Sequence, residues 1–420
     1  MDNKIFILVL SNYMVCPPIS GGARRMLAPA QNMDSNSNIE YSYIYMSYTL
    51  EDIESNNKYL MDIPVVKFAD GVLTSEAFQW DWTNIPTNVA PQVWYTLNKD
   101  YLDFIKQHLE TNDYDIIQIV HSQFAWLVPT IRKLRPEIKI IVDYQNIEWL
   151  VYKRWIDYID DSEKIKALEK EYTTLKCWEE KVLDWFDGIF CISPIEKEQL
   201  KSLTKTPLYY VPTGAGINDD EYYPKAENST KRYDLVFVGS MNWFPNTQAL
   251  EWFLEKVMPL IQKKRPATRL EIIGSGKPDQ HMIKVIKQNR NVTFWGEIEN
   301  EKPFLHGAKV FISPIWIGAG VRLKNPTAWA AKLPVVATSI SVEGLEYLPG
   351  KDLLIGDTPE DFAKQVLSVL NDPEYGKSIA DRAYQTYKEI YSAERLTNIW
   401  VESYHKVLGS FLYTLNRSRD

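Results

Sequence analysis

The stretch FISPIWIGAGVRLKNPTAWAAKLPVVATSISVEGL, from Phe311 to Leu345, limits the possible folds more than any other part of the chain. It is entered through an apolar run, Lys309 to Pro314, that reads as a buried strand. Ile317 to Gly320 is then a loop, and its glycines let backbone amides come close to a ligand. Asn325-Pro326 reads as a helix start, because Asn is a good N-cap and Pro is tolerated at the first helical position. The helix is expected from Pro326 to about Lys332. Pro334 stops it and opens the next buried strand, Pro334 to Thr338. Strand, glycine loop, helix and strand in that order describe an α/β fold with a parallel sheet.

Two cations precede the expected helix start. Arg322 and Lys324 are two residues apart, so on an extended segment their side chains project the same way. A helix N-terminus adds partial positive charge and free N–H groups. An Arg that grips two oxygens in a fork, a Lys that acts as a point charge, and glycine amides suit a multiply charged anion such as a diphosphate. A lone R-x-K is more often a pair of solvated cations. Its place between a glycine loop and a helix start favours the anion site.

The remaining chain repeats the βα rhythm. Lys4 to Leu10 is a buried strand, Asn12 to Gly22 a Pro/Gly loop, and Ala23 to Met33 a helix. The G-x-G-x-x-G fingerprint is absent, which weakens a dehydrogenase reading. Ile39 to Tyr48, Asp115 to Val120, Lys139 to Tyr144, Gly188 to Ser193 and Leu208 to Pro212 read as further strands. Tyr95 to Glu110 and Glu163 to Phe186 read as helices. His121 stands just past the carboxyl end of its strand, where open α/β sheets bind ligands. Residues 67 to 96 are irregular and aromatic (Phe78, Trp80, Trp82, Trp94), suited either to ligand contact or to a local apolar cluster.

Residues 218 to 232 are polar, without period, and read as a linker. Strands follow at Asp234 to Val238, Arg269 to Ile273 (ending in Gly274) and Asn291 to Trp295 (ending in Gly296-Glu297). Helices are expected over Asn246 to Gln262, Glu360 to Leu370 and residues 376 to 413.

Composition narrows the function. The 420 residues allow two or three domains, and 45% hydrophobic with 24% charged residues fits a globular protein. A net charge of −8 argues against nucleic-acid binding. Cys16, Cys177 and Cys191 have no metal-ligand spacing and fit a reducing cytoplasm. No apolar run reaches a membrane span, and Met1 to Leu10 reads as a first strand rather than a signal peptide. Asp219-Asp220 and Asp113-x-Asp115 read as turn and junction residues, so no metal site is expected.

Gly318, Gly320, Arg322, Leu323, Lys324, Ala328, Ala330, Pro334, Val335 and Val336 resemble the donor-binding segment of family 4 glycosyltransferases, in the polysaccharide-synthesis branch. Gly239-Ser240-Met241-Asn242-Trp243-Phe244-Pro245-Asn246 resembles the same branch's loop over the donor diphosphate. Asp-Ile-Ile-Gln-Ile-Val-His121 resembles the strand whose His lines the donor-sugar pocket, and Gln145-Asn146-Ile147-Glu148 a segment with His where Gln145 stands. Gly21-Gly22 with Arg24-Arg25 is similar to the glycine loop of the first domain, and Val211-Pro212-Thr213-Gly214 to its exit turn. Two positions depart: Thr327 replaces the Glu that grips the ribose, and Lys332 replaces a small Gly. The more widespread Glu pair of the family would fall on Ala319 and Thr327.

The resemblance implies the GT-B fold: two Rossmann-like, doubly wound parallel-sheet domains facing a cleft. Expected domains are 1–215 for the acceptor, 216–395 for the donor, and 396–420 as a helix returning to the first. The implied reaction moves a sugar, with retention, from a nucleoside-diphosphate-sugar to a hydroxyl of a glycan, lipid-linked or small-molecule acceptor. The expected catalytic residues are His121, Arg322 and Lys324. Donor contacts are expected from Gly21, Gly22, Gly239, Ser240, Gly274, Glu297, Gly318, Ala319, Gly320, Val321 and Thr327. No cofactor or metal is expected, and the location is expected to be cytoplasmic, with docking at the inner membrane face left open. Thr327 implies a weaker hold on ribose or a deoxyribose donor. The competing readings are a degenerate GT-B scaffold subunit without activity and a GT-B sugar-nucleotide epimerase.

Overall fold

The computed structural model describes residues 4–16, 18, 21–34, 37–73, 89–214 and 232–409. Phe78, Trp80, Trp82, Asp219, Asp220 and almost the whole expected linker lie outside them. The chain forms two units, Met1–Pro212 with Leu396–Asp420, and Thr213–Arg395.

The first unit is built on seven parallel strands: β1 (Ile5–Ser11), β2 (Ile39–Ser47), β3 (Val66–Leu73), β4 (Ile116–Val120), β5 (Lys139–Tyr144), β6 (Gly188–Cys191) and β7 (Leu208–Tyr210). Their order is β3-β2-β1-β4-β5-β6-β7. All are parallel, so every carboxyl end lies along one edge of the sheet. The central strands are aliphatic throughout because helices cover both faces, and Ile7, Leu8, Val9, Leu10, Ile117 and Ile119 are almost wholly buried. The order turns back on itself between β1 and β4, which opens a crevice at their carboxyl ends.

The second unit holds β8 (Tyr233–Val238), β9 (Leu270–Ile273), β10 (Val292–Gly296), β11 (Ala308–Ser313), β12 (Val335–Ala337) and β13 (Leu354–Ile355). Their order is β10-β9-β8-β11-β12-β13, again all parallel. Here the turning point lies between β8 and β11. Two doubly wound parallel sheets are the expected GT-B elements.

The helices that position functional groups are α1 (Gly21–Gln31), α2 (Glu148–Tyr158), α3 (Ser162–Val182), α4 (Phe244–Trp252), α5 (Lys324–Ala330) and α6 (Ala393–Leu408). Among the regular elements not expected from the sequence are α2, β13, the helices Val128–Leu134, Gln280–Gln288 and Lys302–Gly307, β3, and the helix Leu50–Met61 before β3. That helix is capped by the Thr49 side chain, which accepts from the Asp52 N–H. Helix α6 packs back onto the first unit. Its Trp400 ring lies 5.4 Å from Phe190, and Tyr404 Oη donates to Gln118 Oε1 at 2.7 Å.

The expected helix start at Pro326 is corrected. Helix α5 begins at Lys324, and Asn325 lies inside it, fully buried, with Nδ2 donating 2.7 Å to the Ser341 carbonyl. A buried amide held by a neighbouring loop outweighs its preference for a cap. The helix ends at Ala330, and Lys332 just beyond adopts φ 51°. This is the left-handed position that usually ends a helix with glycine, which explains why a small residue is at home there.

Candidate active site

In the second unit, the loops after β8 and β11 flank the turning point of the sheet. Gly239 and Ser240 follow β8, and Asn246 sits in the first turn of α4. Asn246 Nδ2 donates 2.9 Å to the Ser240 carbonyl, which curls the loop onto the helix. A Cβ at Gly239 would stand 2.8 Å from the Asn246 amide, so glycine is required there. Gly274, at the end of β9, lies against the same loop: a Cβ would meet the Gly239 oxygen at 1.9 Å. Its role in the fold is this close approach of two loops.

After β11, Gly318 (φ 140°) and Gly320 (φ 70°) turn the chain back towards α5. Arg322 follows, buried, with Nη1 donating 2.7 Å to the Gly320 carbonyl. A Cβ at Gly318 would be 3.0 Å from Arg322 Nη2, so the glycine makes room for the guanidinium. Glu343 Oε2, from the loop after β12, lies 3.9 Å from Arg322 Nη1. Lys324 reaches across the turning point: its Nζ donates 2.8 Å to Asn246 Oδ1 and stands 4.5 Å from the centre of the Phe237 ring. Burial, then the neighbouring Arg322 charge, lowers the Lys324 pKa to about 7, with Glu301 opposing the shift. A diphosphate would restore the ammonium charge.

The other expected donor contacts divide. Ala319 is half-buried in the β11 loop, and Val321 packs its side chain against the core under β12. Thr327 is buried in α5, where Oγ1 donates 2.9 Å to the Leu323 carbonyl. Its one proton is therefore used inside the helix. Glu297 is exposed at the end of β10, the edge strand, two strands from the turning point. Helix α5 has only seven residues, so the positive charge of this end comes from side chains rather than from a helix dipole.

In the first unit, the corresponding turning point is flanked by the loop after β1 and by His121 after β4. His121 adopts φ 66°, a strained value for a residue with a Cβ. Its ring lies 6.0 Å from that of Tyr13, and Nδ1 is 3.6 Å from Glu148 Oε1. Asn146 Nδ2 donates 2.5 Å to the same oxygen. Burial, then the Arg25 charge, lowers the His121 pKa to about 4, so the imidazole is neutral. Burial raises the Glu148 pKa to about 7, opposed by the Asn146 hydrogen bond. Gly21 and Gly22 begin α1, and the place of a Gly22 Cβ is filled by Tyr13 Oη and Gln145 Oε1.

The two arginines that follow are engaged within the fold. Arg25 is buried, its Nε and Nη2 on Asp143 at 2.6–3.1 Å, its Nη1 2.8 Å from the Val211 carbonyl, and its guanidinium 5.0 Å over Trp400. It ties α1, β5, the exit turn and α6 together. Arg24 Nε donates 3.1 Å to the Pro18 carbonyl.

Asn246, Glu343, Tyr13 and Glu148 sit beside the expected site residues without having been assigned a role there. Asn246 and Glu148 fall within quoted motifs, which was the available signal. Tyr13 and Glu343 carried none, since only the fold brings them in. Among the described residues, Glu251, Glu255 and His281 also cluster, with His281 Nε2 3.0 and 3.3 Å from the two carboxylates. They lie partly exposed on the helices behind β8 and β9.

Residues 232–372 match the family model of glycosyl transferases group 1. A 44.6 kDa protein of the cps region of Klebsiella pneumoniae is 31% identical over 169 residues, 39% of this chain and 44% of that protein. An O-antigen biosynthesis glycosyltransferase of Escherichia coli, WbnH, is 25% identical over 208 residues, 49% of this chain and 58% of that protein. The matches thus span about half the length of these relatives. The sucrose-phosphate synthase of Thermosynechococcus elongatus shares the fold over 97% of this chain and 100% of its own, with a TM-score of 0.73 at 16% identity. Among the described residues no helix is long and apolar enough to cross a membrane. The chain accordingly has the GT-B fold, and residues 232–372 of its second unit are similar to glycosyl transferases group 1.

Proposed function

We propose that the protein transfers a sugar from a nucleoside-diphosphate-sugar to a hydroxyl of a glycan under construction. The observation that carries this is the meeting of Lys324, Asn246 and Arg322 over the glycine loops at the turning point of the second sheet. Two cations within reach of glycine backbone suit a leaving diphosphate, whose negative charge grows as the glycosidic bond breaks. Their partial burial strengthens that attraction relative to water. Arg322 would grip one phosphate in a fork and Lys324 the other as a point charge. These two side chains would do the electrostatic work that a divalent ion does elsewhere, so the reaction is proposed to need no metal or cofactor.

The first unit would serve acceptor recognition, with the strained, neutral His121 as hydrogen-bonding group for a sugar hydroxyl. Backbone strain of this kind persists only where the surroundings enforce it, and it is concentrated at functional sites. The E. coli relative's role in O-antigen biosynthesis supports a growing glycan as acceptor, and a lipid-linked form would bring the protein to the cytoplasmic membrane face. Retention of configuration rests on the resemblance to family 4. Thin-layer or mass-spectrometric assay of sugar release from UDP-, GDP- and dTDP-sugars, with and without Lys324→Ala, tests the reading. Release that the variant loses supports it. No release from any donor returns the scaffold reading.

A further inference from the structure

The buried pair His121 and Glu148 is not needed to hold a diphosphate, yet its geometry is specific. Of the His121 nitrogens, Nδ1 is the one buried without a hydrogen-bond partner. The nearest carboxyl oxygen is Glu148 Oε1 at 3.6 Å, from the first residue of α2. Asn146 fixes that oxygen by donating Nδ2 to it, two residues before the carboxyl in sequence. His121 cannot easily turn away, since its backbone is held at φ 66° and its amide donates 3.2 Å to the Asp143 carbonyl. Both side chains are largely buried, at 14% and 19% exposure.

We propose that Glu148 is the positioning residue that decides which His121 nitrogen carries the proton, so that His121 offers a sugar hydroxyl a donor while Glu148 is protonated and an acceptor once it has ionised. The inference rests on the reading that this site receives a sugar. Protonated, Glu148 Oε1 accepts from Asn146 and donates its O–H to Nδ1, which leaves the imidazole proton on Nε2. On ionisation the Glu148 proton passes to Nδ1, and the Nε2 proton leaves to solvent. One proton is lost from the pair and the imidazole stays neutral throughout. A small rotation of the carboxyl closes the 3.6 Å gap to hydrogen-bond length.

The charges around the pair fit this assignment. Arg25 of α1 disfavours an imidazolium, and Asp143 of β5 is bound up with Arg25. Tyr13, from the loop after β1, gives its hydroxyl to Gln145 and stays protonated. Glu179 of α3 is a second buried carboxyl, in contact with Ser122 Oγ and near Glu148, and burial raises its pKa to about 8. The Glu148 charge, once formed, adds to that rise, so Glu179 stays protonated while Glu148 ionises. Burial brings the Glu148 transition itself to about pH 7.

The test is nitrogen NMR of the full chain labelled with 15N-histidine, followed from pH 5 to 9, with His121 assigned among the five histidines through His121→Gln. The expected result is an Nε2–H imidazole at low pH whose two ring nitrogens exchange protonated and bare signatures through neutrality. Glu148→Gln, whose amide donates at every pH, should fix the Nε2–H form across the range while the other four histidines stay unchanged. A His121 tautomer independent of pH in the native protein, or one that still switches in Glu148→Gln, overturns the proposal. The readout needs no donor or acceptor. A missing switch with intact sugar transfer therefore sinks this inference alone, and a switch without transfer sinks the functional reading alone.

Discussion

The Lys324 ammonium donates to Asn246 Oδ1 across 2.8 Å, joining the loops after β11 and β8 at the turning point of the second sheet. Asn246 also donates to the Ser240 carbonyl, so one amide fixes both the cation and the glycine loop. Asn246→Ala is expected to weaken nucleoside-diphosphate binding about tenfold, the worth of one charge-assisted hydrogen bond of ~1.5 kcal/mol. Asn246→Asp should be worse, because its carboxylate competes with the phosphates for Lys324. Titration calorimetry reads both, and unchanged affinity in the two variants would remove Asn246 from the site.

Affinity should depend on pH through Lys324. Its pKa in the free protein is lowered to about 7, while a bound diphosphate favours the charged form and raises it. Above pH 7, binding must take up a proton, so affinity should fall towards tenfold per pH unit between 7 and 9 and level off below 7. Calorimetry in buffers of different ionisation enthalpy would detect the proton directly. The same depressed value implies that Lys324 lowers the stability of the free protein progressively as pH falls from the ordinary lysine value of 10.5 to about 7, with no further change below 7.

Arg25 is structural in this account. Arg25→Ala leaves the Asp143 carboxylate buried without its partner and should cost about 3–5 kcal/mol of stability. Urea unfolding measures the loss. Nucleotide binding by the remaining folded protein should be unchanged, and its disappearance would return Arg25 to the ligand site.

Thr327 spends its hydroxyl proton on the Leu323 carbonyl within α5. Thr327→Val should therefore change nucleotide affinity less than about threefold, under the ~0.5–1.5 kcal/mol of a neutral hydrogen bond. A tenfold loss in binding assays, with affinity for a ribose nucleotide hit harder than for its deoxyribose analogue, would show that Thr327 meets the ribose.

The central architecture was legible because parallel strands buried on both faces are continuous aliphatic runs. β1, β4, β5, β8 and β11 were all located from such runs. β3 (VKFADGVL) was not, because Asp70 and Gly71 break its apolar pattern and its position at the sheet edge does not demand one. Arg322 and Lys324 were legible by spacing, but their positions were read as extended backbone before a helix. The helix in fact begins at Lys324, because the Asn325 side chain is claimed by Ser341 from a distant loop. That interaction has no local signature. Nor had the engagement of Arg25 with Asp143, 118 residues away, which makes a solvated-looking basic pair half structural. Lys332 shows the reverse case: the family glycine it replaces marks a left-handed position, and the chain keeps that conformation at φ 51° despite the side chain. An ion pair with Asp381 at 3.0 Å helps to offset the strain.

The most direct test of the account is calorimetry of the purified protein against UDP, GDP, dTDP and ADP, with Arg322→Ala as comparison. The account predicts micromolar binding of at least one nucleotide, weakened at least a hundredfold in the variant, since a fork of two charged hydrogen bonds is worth ~3 kcal/mol or more. Binding that survives intact in Arg322→Ala, or no binding of any of the four, would contradict the assignment of the β8–β11 turning point as the diphosphate site.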